Sequence, residues 1–165
     1  MLFEQGLSER VYLRMMFMTL EEYQKHRDFS KSPEPKGGGK RSGGNIFVVH
    51  EHDASHLHYD LRLAMGGVLR SWAVPKEPPD KEGVKRLAIQ AEDHPLEYAD
   101  FEGIIPEGMY GAGTVRIWDK GEFNLEKDVG DELLFELKGR KLMGKYALIK
   151  TRFRGKDSWL FFKRK

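Results

Sequence analysis

The chain has 165 residues, 39% hydrophobic and 33% charged, with 28 Lys and Arg against 26 Asp and Glu for a formal net charge of +2. Those figures fit one globular core of ordinary domain size and exclude a chain that coats nucleic acid by bulk charge, so any nucleic-acid contact is a local site. The absence of cysteine excludes disulfides, thiolate metal sites and cysteine nucleophiles together, and no apolar run nears the ~20 residues of a membrane span, so a bound metal falls to histidine, carboxylate and water.

Residues 1–18 read as an N-terminal extension to a single domain over 19–165. The apolar Val11, Leu13, Met15, Met16 and Phe17 are interrupted by Arg10 and Arg14, with no small-residue cleavage site after them. No signal peptide is expected, the chain is assigned to the cytoplasm with no membrane contact, and Met18 is an alternative start. Thr19-Leu20-Glu21-Glu22 has capping-box spacing and predicts a short helix to about His26. After Pro33 and Pro35 comes Lys36-Gly37-Gly38-Gly39-Lys40-Arg41-Ser42-Gly43-Gly44, which offers nothing to bury and predicts a mobile Gly/Lys loop at 36–44. It is read first as a solvated linker, and second as a basic arm for a phosphate backbone.

From Asn45 onward, short alternating runs are separated by Gly, Pro and Asp, the signature of antiparallel β structure. Strands are expected near 46–50, 57–64, 68–74, 86–91, 114–118, 121–125, 132–138, 144–150 and 158–163. Met65-Gly66-Gly67-Val68 predicts a tight hairpin, and Asp119-Lys120-Gly121 and Gly155-Lys156-Asp157 predict two later ones. The stretch Glu102 to Gly113 is expected to be a barrel-closing turn, since no strand and helix flank it as a nucleotide-phosphate loop requires. So many strands without intervening helices predict a mainly β fold: a small antiparallel β barrel with a short N-terminal helix, or otherwise a sandwich. Trp72, Trp118 and Trp159 fall in alternating strands and are assigned to the core or half-core rather than to base stacking.

The chemistry concentrates in His50-Glu51-His52-Asp53-Ala54-Ser55-His56-Leu57-His58-Tyr59-Asp60-Leu61-Arg62-Leu63. Successive strand side chains point to opposite faces, so Leu57, Tyr59, Leu61 and Leu63 share a core face while His58, Asp60 and Arg62 stand together on the other. His50 and His52 share a face of the preceding segment, and either can complete a His, His, Asp set. Two imidazoles and a carboxylate with open positions suit a divalent ion such as Mn²⁺ or Zn²⁺, and a neighbouring arginine suits an anionic substrate. Any one of these histidines is more often a strand cap or a polar barrel residue than a ligand; the combined pattern is what favours metal. On the residues alone, a cupin-like small-molecule metalloenzyme competes with phosphate chemistry.

These segments resemble the 3′-phosphoesterase domain of the bacterial and archaeal DNA ligase D repair system. The resemblance runs from Arg27-Asp28-Phe29 and Pro33-Glu34-Pro35 through Phe47-Val48-Val49-His50-Glu51-His52 and Leu57 to Leu63. It continues through Ser71-Trp72-Ala73-Val74-Pro75-Lys76, Glu92-Asp93-His94-Pro95-Leu96-Glu97-Tyr98 and Phe101 to Gly111. It implies a small β barrel, metal ligation by His52, His58 and Asp60, and Mn²⁺ as the preferred ion with Zn²⁺ or Co²⁺ as alternatives. It further implies phosphate contacts from Arg62 and His94, supporting roles for Lys76, Arg86 and Tyr98, and lesser ones for Asp28 and Glu34. The implied reaction removes a 3′-terminal ribonucleoside from a primer and then the remaining 3′-phosphate, on DNA or DNA/RNA ends in a primer-template duplex. A DNA ligase, a repair polymerase and a Ku-type end-binding protein are the implied partners.

The chain departs from the family at His50, where glutamine is commoner; a neutral imidazole there still donates one hydrogen bond to a phosphate oxygen. His56 has no assigned role. No polymerase or ligase segment accompanies the domain, so a stand-alone phosphoesterase is expected, with a non-catalytic 3′-end-binding module as the alternative. His94, fixed by Pro95, is expected at the barrel mouth, where an imidazolium binds a phosphate oxygen or protonates the leaving oxygen. Lys76 and Arg86 are expected at an exposed loop and at a strand start.

Overall fold

The structure, a computed structural model, describes residues 20–38, 44–152, 155 and 157–165. Residues 1–18, the capping Thr19 and 39–43 of the Gly/Lys loop lie outside the described residues. A short helix spans 20–25. Nine strands follow: β1 (Ile46–Asp53), β2 (Leu57–Met65), β3 (Val68–Val74), β4 (Lys85–His94), β5 (Gly103–Ile105), β6 (Gly113–Asp128), β7 (Glu132–Lys138), β8 (Met143–Lys150) and β9 (Ser158–Lys163). A 3₁₀ segment, Leu96–Asp100, separates β4 from β5. All strand pairs are antiparallel, in the order β1-β2-β3-β4-β9-β8-β7-β6, and β6 returns to β1 to close an eight-stranded barrel with β5 on its rim.

Alternation along the strands explains the closure. Phe47 and Val49 of β1, Tyr59, Leu61 and Leu63 of β2, Trp72 and Val74 of β3, and Leu133, Phe135 and Leu137 of β7 point inward. They meet Tyr146 and Leu148 of β8 and Trp159 and Phe161 of β9 in one core. Each such side chain contributes about 1.5–3 kcal/mol by leaving water. Trp72 and Trp159 meet edge to face at 5.8 Å in the core and Trp118 is half-buried against it, as the core or half-core assignment expects. Leu57, assigned to the same face from alternation, lies at the barrel end and is half exposed.

Three sequence expectations change. The runs 114–118 and 121–125 are one strand, β6, with no hairpin at Asp119-Lys120-Gly121. The Asp119 carboxylate instead accepts the backbone N–H groups of Arg140, Lys141 and Leu142 at 2.9, 3.2 and 2.8 Å, capping the β7–β8 turn. Gly121 serves close approach rather than turning, since a Cβ there would stand 2.1 Å from the Lys138 carbonyl oxygen. The stretch 102–113 contains β5, too short to show alternation. The Gly66-Gly67 hairpin holds, with φ of 62° and 83° as a two-residue turn requires. β8 and β9 are antiparallel neighbours, with part of the expected turn between them, Lys156, outside the described residues.

A second apolar layer covers the outer face of β1, β2, β3 and β6. Val48, Ala64, Leu69 and Val115 from the strands meet Tyr23 of the helix, Tyr98 and Ala99 of the 3₁₀ segment, and Phe101 and Ile105. The histidine-rich face of β1 and β2 opens into this outer layer, not into the barrel. The alternative reading of these histidines as residues of a polar barrel interior does not hold: large apolar side chains fill the inside, leaving the outer face as the place for charge.

Candidate metal centre

The hairpin joining β1 to β2 builds the centre. Its register sets His52 opposite His58 and His50 opposite Asp60, and the apolar partners Val49 and Leu61 lock that register by needing the barrel interior. One ligand atom each from His52, His58 and Asp60 lies within 4.8 Å of the others. Asp60 Oδ2 is 3.6 Å from His52 Nδ1 and 3.5 Å from His58 Nε2. Metal bonds of about 2.1 Å place neighbouring donors about 3.0–3.4 Å apart, so the three atoms fit one divalent ion after a small contraction.

Backbone carbonyls fix both tautomers. His52 Nε2–H donates to the Gly111 carbonyl at 2.7 Å, and His58 Nδ1–H donates to the His56 carbonyl at 3.0 Å. A carbonyl only accepts, so each ring keeps a proton on that outer nitrogen and turns the other nitrogen toward Asp60, free to hydrogen-bond the carboxylate or, once deprotonated, to ligate a metal. Gly111 can present its carbonyl because its φ is 77°, a backbone region that L side chains rarely adopt. Burial pushes the Asp60 carboxyl upward, but Arg62, His52 and His58 outweigh it and hold the group well below the usual carboxylate range. The hydrogen bond to Asp60 raises His58 in turn.

Arg62 is held on every side. Its Nε donates to His50 Nδ1 at 3.1 Å, its Nη1 to Ser71 Oγ at 2.9 Å, and its Nη2 stands 3.4 Å from Asp60 Oδ2, while its guanidinium lies 4.7 Å from the centre of the Tyr98 ring. His50 is fully buried and donates from Nε2 to the Phe101 carbonyl at 3.0 Å. Burial and then the Arg62 charge push its pKa down to about 3, so the ring is neutral. With both nitrogens committed, His50 lies outside the three-donor cluster and does not reach toward a phosphate; it orients Arg62. Of the two histidines, His52 is the one whose ring faces Asp60.

The N-terminal segment supplies the other wall. Buried Glu34 accepts from Arg27 Nε at 3.0 Å, from the Tyr98 hydroxyl at 2.8 Å and from Ser32 Oγ at 2.9 Å. Arg27 also pairs with Glu92, and its Nη2 is 3.4 Å from His94 Nε2. His94 Nδ1–H donates to the Glu92 carbonyl at 3.0 Å, and burial followed by the charges of Arg62 and Arg27 holds its pKa well below the usual value. In the free protein His94 is thus a neutral ring, not the imidazolium expected from sequence. The Tyr98 hydroxyl, spent on Glu34 and raised by burial, supports the wall.

The remaining expected residues lie apart from the three donors. Asp28 is exposed and accepts from the Ser30 backbone N–H and hydroxyl in a local turn. Lys76 is exposed in the loop after β3, and Arg86 on β4 donates to the Glu77 carbonyl at 2.8 Å, bracing that loop. No hydrogen bond or ion pair joins either to the triad among the described residues. Arg27, Glu92, Ser71 and Gly111 were not singled out from sequence. Arg27 and Glu92 stand beside motif residues that were, whereas Ser71 and Gly111 emerge only once β3 pairs with β2 and the loop folds back on β1.

The sequence that builds this geometry matches known proteins. The model of the DNA ligase D 3′-phosphoesterase domain matches residues 50–150, most of the chain. The chain belongs to this family. The match begins at His50 and takes in the triad, Arg62, Lys76, Arg86, His94 and Tyr98, with Asp28 and Glu34 ahead of it. This ligase D 3′-phosphoesterase domain is 50% identical over 155 residues to the multifunctional non-homologous end joining protein LigD of Pseudomonas aeruginosa, covering 88% of the chain and 18% of that protein. It is 51% identical over 147 residues to the LigD of Mycobacterium bovis (86% and 19%) and 46% identical over 154 residues to that of Mycolicibacterium smegmatis (86% and 20%). The chain spans about a fifth of the length of these relatives.

Proposed function

We propose that the chain is a metal-dependent phosphoesterase of nucleic-acid 3′ ends, removing 3′-terminal ribonucleosides and 3′-phosphates during end-joining repair of double-strand breaks. The observation that carries this reading is the cluster of two tautomer-fixed imidazoles and one carboxylate, with Arg62 beside the shared carboxylate oxygen. His52, His58 and Asp60 hold the ion, with Mn²⁺ preferred and Zn²⁺ or Co²⁺ as alternatives. A divalent ion supplies Lewis-acid polarisation of a phosphoryl oxygen. Arg62, clamped by His50, Ser71 and Tyr98, brings fixed positive charge to the phosphate without reorganising. His94 accepts a hydrogen bond in the free protein and takes up a proton when phosphate charge arrives beside it, which fits it to bind the phosphate or protonate the leaving oxygen. Lys76 and Arg86 act from the barrel end on the flanking strand, and Asp28 near the substrate entrance.

The substrate class, DNA or DNA/RNA 3′ ends in a primer-template duplex, and the partners, a DNA ligase, a repair polymerase and a Ku-type protein, are proposed from the end-joining names of the relatives. No helix among the described residues is long and apolar enough to cross a membrane, in keeping with the proposed cytoplasmic role. The test is an end-labelled primer-template ending in one ribonucleotide, incubated with the protein and Mn²⁺, Zn²⁺, Co²⁺ or no metal. Stepwise conversion to a 3′-phosphate and then a 3′-hydroxyl end, lost in His58→Ala, is expected. No shortening with any metal, or undiminished activity in His58→Ala, refutes it; tight 3′-phosphate binding without turnover would identify an end-binding module instead.

A further inference from the structure

Among the described phenylalanines, tyrosines and tryptophans Tyr110 alone is exposed, with 55% of its surface open, and the others are buried or half-buried. One side of the ring is backed by His26, stacked at 4.7 Å and 18°. His26 is itself fixed by a 3.0 Å bond from Nδ1 to Glu92 Oε2, and Glu92 also pairs with Arg27, whose guanidinium lies 5.3 Å from the Tyr110 ring centre. With 55% of the residue exposed, Tyr110 keeps open surface beyond what His26 and Arg27 cover. The stack is therefore a braced, outward-facing aromatic surface.

Its place along the chain ties it to the metal donors. Tyr110 precedes Gly111, whose carbonyl holds His52 Nε2 at 2.7 Å, and one residue step is about 3.8 Å. Solvent reaches the centre through His58, whose side chain is 26% exposed, while His52, Asp60 and Arg62 are nearly closed off. The Tyr110 side chain is near enough for the Asp60 carboxylate to act on its hydroxyl, so a nucleoside attached to a phosphate at the donors has the Tyr110 ring within reach. Aromatic faces bind bases by stacking without selecting among them, since every base has a π-face.

We propose that the open face of Tyr110, backed by His26, is the stacking surface for the base of the terminal nucleotide whose phosphate lies at the metal donors. This rests on the end-processing reading above. It makes Tyr110 a substrate-binding residue that favours ends carrying a base, of any identity, over abasic ends.

The test compares wild type, Tyr110→Ala and Tyr110→Trp on two primer-template duplexes, one ending in a ribonucleotide and one ending in the abasic ribose analogue. Cleavage gives KM, and fluorescence anisotropy with Mn²⁺ present gives end affinity separately from turnover. Tyr110→Ala is expected to raise KM and Kd about 5- to 150-fold on the base-bearing end and to leave the abasic end unmoved, with Tyr110→Trp restoring the preference. Equal losses on both ends, no loss on either, or no preference of wild type for the base overturns the proposal. Should wild type bind both ends without cleaving, a base preference that depends on Tyr110 upholds the stacking surface while the hydrolytic reading falls.

Discussion

Replacing His50 tests whether that ring is a brace for Arg62. His50→Leu keeps a buried side chain of similar bulk but removes the acceptor of Arg62 Nε and the donor to the Phe101 carbonyl, at 3.1 and 3.0 Å in the structure. Each buried polar group left unsatisfied costs about 1–3 kcal/mol, with the charged guanidinium toward the upper end, so the variant should lose about 2–6 kcal/mol. At roughly 2–4 °C per kcal/mol for a domain of this size, the Tm falls by about 5–20 °C. His50→Gln behaves differently, because an amide offers an acceptor oxygen and a donor nitrogen in place of the two ring nitrogens. It should stay within about 1 kcal/mol of wild type and keep both metal binding and cleavage. Urea or thermal unfolding of the metal-free variants, followed by circular dichroism, reads the stabilities. A His50→Leu loss below about 1 kcal/mol, or equal losses in Leu and Gln, would refute the bracing role, and loss of metal in His50→Gln would make the ring a ligand.

Other outcomes follow from the same geometry. Asp60→Asn removes the carboxylate shared by His52, His58 and Arg62 and should abolish Mn²⁺ binding by calorimetry; stoichiometric binding in that variant contradicts the triad. Gly111→Ala forces a Cβ into a left-handed backbone at a cost of about 1–2 kcal/mol and shifts the carbonyl that orients His52, so metal affinity should fall along with stability. His94 is neutral in the native state and protonates near pH 6.5 when unfolded, so its contribution to stability is complete above about pH 6.5 and is lost as pH falls toward its depressed native pKa. The slope is up to about 1.4 kcal/mol per pH unit, and comparing unfolding of wild type and His94→Asn between pH 7 and 5 should show it missing in the variant.

The sequence by itself determined the local periodicities and what they force. Alternation through Tyr59, Leu61 and Leu63 sent those side chains to the core and placed His58, Asp60 and Arg62 on the opposite face, because strand geometry allows nothing else. It also marked the Gly66-Gly67 hairpin and most strands, though not the passage of β6 through Asp119, where a turn-forming pair serves a cap and a close approach instead. Only the tertiary structure decided what covers the face that carries the site. That depends on long-range closure of β6 onto β1, which fills the barrel with apolar side chains and leaves the outer face to be covered by Tyr23, Tyr98 and Phe101. Pairing of β1 with β2 set His50 on Arg62 and His52 on Asp60, and contacts across the chain brought Arg27 to Glu92 and His94, Glu34 to Tyr98 and the Phe101 carbonyl to His50, which strand alternation does not reveal.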